Sequence, residues 1–177
     1  FRDLEASGVE VRILTNSLEA NDVALVHSGY AKYREALLEA GVELFELRKF
    51  RSENEDEHQS SGGMVGSSAA SLHAKTFAVD GETLFVGSFN FDPRSANLNT
   101  ELGFLIKSPE LANALESAFP EQVRLAAYEV ILDEDGELRW LEFNGTDTIE
   151  HHHEPNVGAF KRALVYLFSL LPVEPLL

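Results

Sequence analysis

Apolar and polar positions in the first fifty residues predict a strand, a helix and a second strand. Residues 10–15, EVRILT, and residues 42–48, VELFELR, are short apolar runs typical of buried strands. Between them, apolar residues recur at helical spacing over residues 21–40. A strand, a helix and a strand in this order predict a parallel pair of strands joined by a right-handed crossover.

Residues 72–92, LHAKTFAVDGETLFVGSFNFD, predict a β-hairpin. Its centre is Asp80-Gly81, a dipeptide typical of two-residue hairpin turns. With such a turn, Lys75 would face Val86 on the opposite strand. Because side chains alternate between the two faces of a strand, four polar side chains would then share one face at the open end of the hairpin: His73, Lys75, Ser88 and Asn90.

The second half of the chain predicts further strands and two helices. Residues 100–107, TELGFLIK, read as a strand, and Ser108 is placed to cap a helix that runs to about Phe119. Residues 127–143 alternate on both sides of an Asp-Gly pair and predict a second hairpin. The C-terminal stretch, residues 157–172, predicts a short apolar helix that ends at Pro172.

Strands interleaved with helices place the chain in the α/β class. We expect a mixed β-sheet flanked by helices on both faces. Residues 1–125 would form the main unit, with a polar, Gly/Ser-rich mobile loop at residues 51–70. Residues 126–177 would add the C-terminal hairpin and the apolar helix, packed on the same domain.

Composition narrows the classes of function. The chain has 177 residues, which suits one ordinary domain, and its net charge of −16 disfavours nucleic acid, whose phosphates are bound mainly by Lys and Arg. It has no cysteine, so thiolate metal sites and disulfides are excluded. No apolar run approaches the roughly 20 residues of a transmembrane helix. The chain begins at Phe1 and its one methionine is Met64, so we expect that it is a fragment with sequence missing upstream.

The polar cluster of the first hairpin suits a phosphate group. His73 is a candidate nucleophile or general acid, and a partly buried Lys75 requires an anionic partner. Ser88 and Asn90 add neutral hydrogen-bond donors. Glu101, at the start of the next strand, could orient the histidine through its second ring nitrogen.

Residues outside the hairpin are weaker candidates. Asn16 and Ser17 follow the first strand and could line the site, or they could form a plain turn. Asn97 and Asn99 could contact the substrate, or they could satisfy backbone groups in an irregular segment. The run His151–His153 predicts no metal site, because adjacent residues cannot all face one ion.

The spacing of the cluster carries a family resemblance. His73-x-Lys75-x4-Asp80, followed by Gly87-Ser88-x-Asn90, resembles the HxKx4D…GSxN signature of the phospholipase D superfamily. The following FDPRSANLNTE, residues 91–101, is similar to the bacterial cardiolipin synthase branch, especially its third type. The resemblance covers nearly the whole chain, and it would make Glu101 the acid that orients the family's histidine.

The resemblance implies a phosphatidyltransferase that works through a covalent phosphohistidine, with no metal and no other cofactor. Members carry two copies of the motif, and the active site lies between the two halves. This chain has one copy and resembles the C-terminal half, so His73 is expected to be the general acid/base rather than the nucleophile. Asp80, at the far end of the hairpin, and Gly87 are expected to be structural.

The expected partners follow from the same resemblance. They are a phospholipid at the membrane surface and either a missing N-terminal half with a second motif or a second copy of this chain as a homodimer; nucleic acid is not expected. The expected location is the cytoplasmic side of a bacterial inner membrane, as a peripheral protein. The alternatives are a homodimeric phospholipase, phosphodiesterase or nuclease, a non-catalytic scaffold, and a half-domain that is inactive on its own.

The C-terminal helix leaves two interpretations open. Its predicted apolar stripe could pack against the rest of the protein, or it could lie in the interface of a bilayer. Lys161 and Arg162 stand near the start of this helix. The predicted stripe consists of Phe160, Leu164, Leu167, Phe168 and Leu171.

Overall fold

The computed structural model describes residues 1–21, 24–49 and 73–170. The loop predicted at residues 51–70, Leu171 of the predicted stripe and the predicted helix end at Pro172 lie outside these ranges. In chain order, the helices and strands that it describes are α1 (Arg2–Ala6), β1 (Arg12–Asn16), α2 (Ala24–Ala31), α3 (Arg34–Glu39), β2 (Glu43–Leu47), β3 (Lys75–Val79), β4 (Thr83–Gly87), α4 (Pro93–Asn97), β5 (Gly103–Lys107), α5 (Pro109–Ala118), a π-helical turn (Phe119–Val123), α6 (Arg124–Ala126), β6 (Ala127–Leu132), β7 (Leu138–Phe143), β8 (Thr148–His151) and α7 (Ala159–Ser169).

The strands confirm the α/β class but form two sheets where a single sheet was expected. The larger sheet has the order β1-β2-β6-β7-β8, in which β1 and β2 are parallel, as predicted, and the other pairs are antiparallel. The smaller sheet is antiparallel with the order β3-β4-β5. Since β6 pairs directly with β2, the C-terminal hairpin is part of the larger sheet. The domain boundary at residue 125 stays a prediction.

The crossover between β1 and β2 contains two helices, so the prediction of one helix to about Ala40 is wrong. The chain turns at residues 32–33 between α2 and α3. The last turn of α2 includes Gly29 and Tyr30, which are weak helix formers. Arg34 opens α3 and is buried in ion pairs, so tertiary contacts outweigh the continuity of the helix.

The register of the first hairpin differs from the prediction by one residue. Lys75 lies opposite Gly87, not Val86. The cause is the loop, which has three residues, 80–82, instead of two. Asp80 and Gly81 both adopt positive φ angles, 53° and 61°, and Glu82 follows as the third loop residue. A shift of one residue moves each side chain to the other face relative to the partner strand. The prediction that strand pairing sets the four polar side chains on one face is therefore wrong.

Aromatic packing explains why this register is preferred. The rings of Phe77 and Phe85 lie opposite each other on β3 and β4 and stack with centroids 4.7 Å apart. Cross-strand aromatic pairs of this kind are a main source of sheet stability. The predicted register would have paired Phe77 with Leu84 instead.

The core of the larger sheet is a cluster of buried apolar side chains from β2, β6, β7 and the residue before β2. Trp140 is 4% exposed, and its indole N–H donates to Glu46 Oε2 at 3.0 Å. The cluster consists of Val42, Leu44, Tyr128, Val130 and Trp140.

Buried charges hold the crossover against this core. Arg34 Nη1 donates to Glu154 Oε1 at 2.7 Å, and Arg34 Nη2 contacts the His27 ring. Arg34 Nε lies 2.7 Å from Glu46 Oε1, but its N–H is not aligned with that oxygen, so this contact is an ion pair without a hydrogen bond. The Tyr30 hydroxyl donates to the same carboxylate at 3.1 Å. Removing one member would leave its partners buried and unpaired.

Several predicted elements are confirmed with small changes in their bounds. Ser108 caps α5, since its hydroxyl accepts the Leu111 N–H at 3.3 Å. The hairpin over residues 127–143 is formed by β6 and β7. β8 was not predicted, because its four residues, TIEH, are too short and polar to show a strand pattern.

The C-terminal helix α7 packs on α2 through one side. Val165 is buried in a cluster with Leu18 and Val157. Its exposed apolar residues differ from the predicted stripe, because Leu164 and Phe168 are half-buried. None of the helices in the described ranges is long and apolar enough to cross a membrane.

Candidate active site

Strand pairing brings the two parts of the sequence motif together. Lys75 is the first residue of β3, Gly87 is the last residue of β4, and the two lie opposite each other. His73 precedes β3 by two residues and Ser88 follows β4 directly, so both stand at the same end of the hairpin. Asp80 lies at the opposite end, in the turn.

Gly87 is required by close contacts and not by a special backbone angle. A Cβ atom at this position would lie 2.6 Å from the carbonyl oxygen of Leu102 and 2.7 Å from Cζ of Phe85. Gly103, its partner on β5, is equally crowded by the Phe85 ring. The ring therefore occupies the space that two side chains would need, which explains the glycine at the start of the GSxN part of the motif.

Ser88 is anchored to the start of β5 by backbone and side-chain hydrogen bonds. Its N–H donates to the carbonyl oxygen of Leu102 at 2.9 Å, and its hydroxyl oxygen accepts the Leu102 N–H at 3.1 Å. The hydroxyl group in turn donates to the carboxylate of Glu101. These contacts hold the serine and the glutamate of the predicted site together.

The carboxylate of Glu101 is stabilised in its ionised form. The hydrogen bond from the Ser88 hydroxyl is the largest cause that lowers the pKa of Glu101, and hydrogen bonds from Ser95 and Asn99 add to it. The positive charge of Lys75 lowers the pKa further. Glu101 therefore carries its negative charge at neutral pH.

Ser95 is a member of this cluster that the sequence did not reveal. It is 5% exposed and lies in α4, where its N–H donates to Oδ1 of the capping residue Asp92 at 2.8 Å. The Asp-Pro pair at residues 92–93 predicts a helix start. With that helix placed, Ser95 could have been identified as facing the Glu101 segment.

His73 and Asn90 are both exposed at the edge of this cluster. Lys75 is half-buried, and its Nζ donates to the backbone carbonyl of His73 at 3.1 Å. In the described part of the chain, no hydrogen bond joins the imidazole of His73 to Glu101. The role of Glu101 in orienting His73 thus stays a prediction.

Asn16 and Ser17 belong to the larger sheet. Asn16 ends β1 and is half-buried. Ser17 is 2% exposed, and its hydroxyl accepts the Ala20 N–H at 3.3 Å, as in a turn. Their contribution to substrate binding also stays a prediction.

The turn of the hairpin is held by α5. The N–H of Gly81 donates to Glu116 Oε1 at 2.7 Å, and Asn113 Nδ2 donates to the carbonyl oxygen of Gly81 at 3.0 Å. Asp80 therefore occupies a fixed loop at the end of the hairpin that is remote from His73.

The cluster offers donors for an anion and few ligands for a metal. This end of the hairpin carries an exposed imidazole, an ammonium group, a hydroxyl and an amide, which are groups of the kind that bind the non-bridging oxygens of a phosphodiester and transfer a proton. Across the described ranges, no three His, Asp or Glu side chains are grouped to hold a metal ion.

The family described as "Cardiolipin synthase, PLD-like domain" matches residues 1–123. The chain belongs to this family. The match includes His73, Lys75, Ser88 and Glu101, so the cluster lies within the family's own domain.

Two bacterial proteins are similar to this family member over most of its length. Over 170 residues the chain is 49% identical to "Cardiolipin synthase C" of Escherichia coli (strain K12), which covers 96% of this chain and 36% of the relative. Over 124 residues it is 32% identical to "Cardiolipin synthase" of Listeria monocytogenes serotype 4a (strain HCC23), which covers 70% of this chain and 21% of that protein. The chain thus spans about a third or less of the length of these relatives. No solved structure matches it.

Proposed function

We propose that this chain is the C-terminal catalytic half of a cardiolipin-synthase-like phosphatidyltransferase. The observation that supports the proposal is the hydrogen bond from Ser88 to Glu101, at the end of the hairpin that also carries His73 and Lys75, in a member of this family. Its 49% identity to a protein named cardiolipin synthase C supports the choice of a phospholipid substrate.

The reaction needs two histidines, of which this chain supplies one. In the proposed mechanism, the other histidine attacks the phosphorus of a phospholipid phosphodiester, and the bond from phosphorus to the leaving alcohol oxygen breaks. His73 gives its proton to that oxygen. A second alcohol, itself a phospholipid headgroup, then attacks the phosphohistidine while His73 takes its proton, and the first histidine is released.

The remaining residues of the proposed site bind the phosphate or orient the His73 ring. Lys75 and Asn90 donate to the non-bridging oxygens, where negative charge is present throughout the reaction. Ser88, whose hydroxyl proton is donated to Glu101, would donate to the phosphate only after turning away from that carboxylate. Glu101 is assigned the orientation of the His73 ring, since its carboxylate is ionised and held at the same end of the hairpin.

The second histidine would come from chain beyond these 177 residues or from a second copy. The E. coli relative is nearly three times as long as the aligned region, so it has room for another half. Reading the coding sequence upstream of Phe1 tests this directly. A second HxKx4D there supports the two-motif enzyme, and its absence leaves the homodimer as the source.

The role of His73 is tested in the whole encoded protein. We expect His73→Ala to lower the rate of cardiolipin formation from phosphatidylglycerol about 100-fold or more, because general acid–base catalysis contributes on this order. His153→Ala, which changes an exposed histidine outside the site, is the matched control. A wild-type rate for His73→Ala would remove His73 from the mechanism.

A substrate with a good leaving group separates the two histidine roles. Nitrophenolate leaves as a stable anion without protonation, so a phosphodiester with a nitrophenyl group needs no general acid in the first step. If His73 is the acid, His73→Ala should still release nitrophenol, and the phosphohistidine intermediate should accumulate at the other histidine. If His73 is the nucleophile, the variant should release none.

A further inference from the structure

The short helix α4, which links the GSxN part of the motif to β5, buries a serine where surface helices usually bury apolar side chains. Of its four residues whose burial is described, Ser95 alone is buried, at 5% exposure. The leucine that follows the helix, Leu98, is 74% exposed. A surface helix is ordinarily held by an apolar stripe that faces the core, whereas a buried hydroxyl needs hydrogen-bond partners. The place of α4 therefore depends on the partners of Ser95.

Asp92 is the first of these partners. It is half-buried, and its Oδ1 accepts the Ser95 N–H at 2.8 Å. Its backbone carbonyl oxygen accepts the N–H of Ala96 at 3.1 Å. A helix of five residues is too short to persist without caps or tertiary contacts. We therefore expect α4 to lose its place, while the two sheets stay folded, when residue 92 can no longer cap it.

Glu101 is the second partner of Ser95. The Ser95 hydroxyl has one proton, and Oδ2 of Asp92, 3.5 Å away, lies at the outer limit of a hydrogen bond. That proton is available to the carboxylate of Glu101, to which Ser95 is hydrogen-bonded. Asn99 is another donor to this carboxylate, and its backbone N–H is bound to the carbonyl oxygen of Arg94 in α4 at 2.8 Å. α4 thus fixes two donors of Glu101.

We propose that Asp92 is a positioning residue of the candidate site, which holds α4 through Ser95 and thereby sets the place of the Glu101 carboxylate. Asp92 acts through these groups and is not itself a catalytic residue. Its effect on transfer rests on the proposed function, in which Glu101 orients the His73 ring. Proton transfer needs the imidazole aligned within hydrogen-bond reach, so a displaced carboxylate slows the chemical step more than it weakens binding.

The cap and the negative charge of Asp92 can be separated by substitution. Asparagine and serine cap helices about as well as aspartate does but carry no charge. Asp92→Ala and Asp92→Asn remove the same charge, so the difference between these two variants reports the cap alone.

Steady-state kinetics of the whole encoded protein test the effect on transfer. Asp92→Ala should lower kcat for cardiolipin formation about tenfold, with KM changed less than about twofold, because a small misplacement of a positioning group costs rate on this order or more. Asp92→Asn and Asp92→Ser should recover kcat to within about threefold of the wild type, since both keep the cap. Ser108→Ala, which removes the cap of α5 near the turn of the hairpin, should leave kcat unchanged.

NMR titration of the Glu101 carboxyl carbon tests the positioning without any turnover, and the spectrum of Glu101→Gln assigns the signal. Asp92→Ala should raise the pKa of Glu101 relative to Asp92→Asn, because the donors on α4 are lost only in the alanine variant. Ser95→Ala keeps the capped N–H and removes the hydroxyl, so it should reproduce part of this rise with α4 in place. Urea unfolding of each variant checks that the two sheets stay folded.

The outcomes separate positioning from catalysis. Equal pKa values of Glu101 in Asp92→Ala and Asp92→Asn, or equal losses of kcat, would overturn the proposal, as would a Ser95→Ala variant that changes neither quantity. A raised KM with an unchanged kcat in Asp92→Ala would also overturn it, because Asp92 would then act in substrate binding. A raised pKa of Glu101 in Asp92→Ala, in a protein whose wild type transfers no phosphatidyl group, would leave the positioning role intact and remove the proposed function.

Discussion

One hydroxyl group contributes more than any other to the lowered pKa of the carboxylate in the candidate site. The Ser88 hydroxyl is the largest cause of the lowered pKa of Glu101. Ser88→Ala should therefore raise this pKa toward its ordinary value of 4.5, and the ionised form would be lost at a higher pH on acidification. Titration of the side-chain carboxyl carbon by NMR measures the change directly.

Matched serine variants show whether the effect is specific. Ser95→Ala should raise the pKa of Glu101 by less, because its hydrogen bond is a smaller cause than that of Ser88. Ser169→Ala, on the distant helix α7, should leave the titration unchanged. An unshifted pKa in Ser88→Ala would show that the Ser88–Glu101 contact does not persist in solution. It would also remove the support that this contact gives to Glu101 as the orienting acid.

At the level of helices and strands, the buried cluster around Arg34 joins α3, β2 and the segment before α7. Burial alone would raise the pKa of Glu154, but its hydrogen bond to His27 and the charge of Arg34 lower it overall. A lowered pKa stabilises the fold above the unfolded value of about 4.5, and this contribution is lost as the pH falls through the folded value. Glu154→Gln should thus cost about 3 kcal/mol at neutral pH, since it leaves Arg34 with a weaker partner.

The destabilisation by Glu154→Gln should depend on pH in one direction. Because glutamine does not titrate, the difference in unfolding free energy between wild type and Glu154→Gln should shrink from pH 7 to about pH 4. Urea unfolding followed by the fluorescence of Trp140, the single tryptophan, measures it. Glu134→Gln, in an exposed loop, is the control. A difference that grows on acidification would contradict the assigned pKa direction.

Elements whose signals are local were predicted well from the sequence. The Ser108 cap, the β6–β7 hairpin and the parallel pair β1–β2 all follow from caps, turns and apolar runs. The hairpin register was wrong because Asp80 adopts a positive φ angle that extends the loop to three residues, which the Asp-Gly pair alone does not specify. The break before Arg34 was missed because it depends on ion pairs with residues distant in sequence.

The contacts of the candidate site were not predicted from the sequence, and the roles of its residues stay predictions. Spacing and resemblance singled out His73, Lys75, Ser88 and Glu101, which lie at one end of the hairpin in the structure, but the predicted shared face was wrong. The contact between Ser88 and Glu101 depends on the pairing of β4 with β5, which the sequence could not reveal. The hydrogen bond of Ser95 to Glu101 depends in the same way on where the chain places α4 after β4.

At the level of the whole molecule, the question is whether one polypeptide holds a complete site. This chain contains one copy of the motif and spans 36% of the E. coli relative, so we expect the whole encoded protein to carry both histidines. Refolding mixtures of wild type and His73→Ala in varied proportions distinguishes the two arrangements. If each polypeptide has its own site, the rate of cardiolipin formation should fall in proportion to the wild-type fraction.

The dependence of the rate on the wild-type fraction distinguishes the two arrangements, because a homodimer predicts a different curve. A site built from His73 of two copies is fully active only when both copies are wild type, so the rate would fall with the square of the wild-type fraction. At equal amounts of the two proteins, the rates would then differ about twofold between the two arrangements, which initial-rate measurements resolve. Mixtures with His153→Ala should show no fall and so control for refolding losses. A quadratic curve would reject the two-half enzyme and make a second copy of this chain the source of the missing histidine.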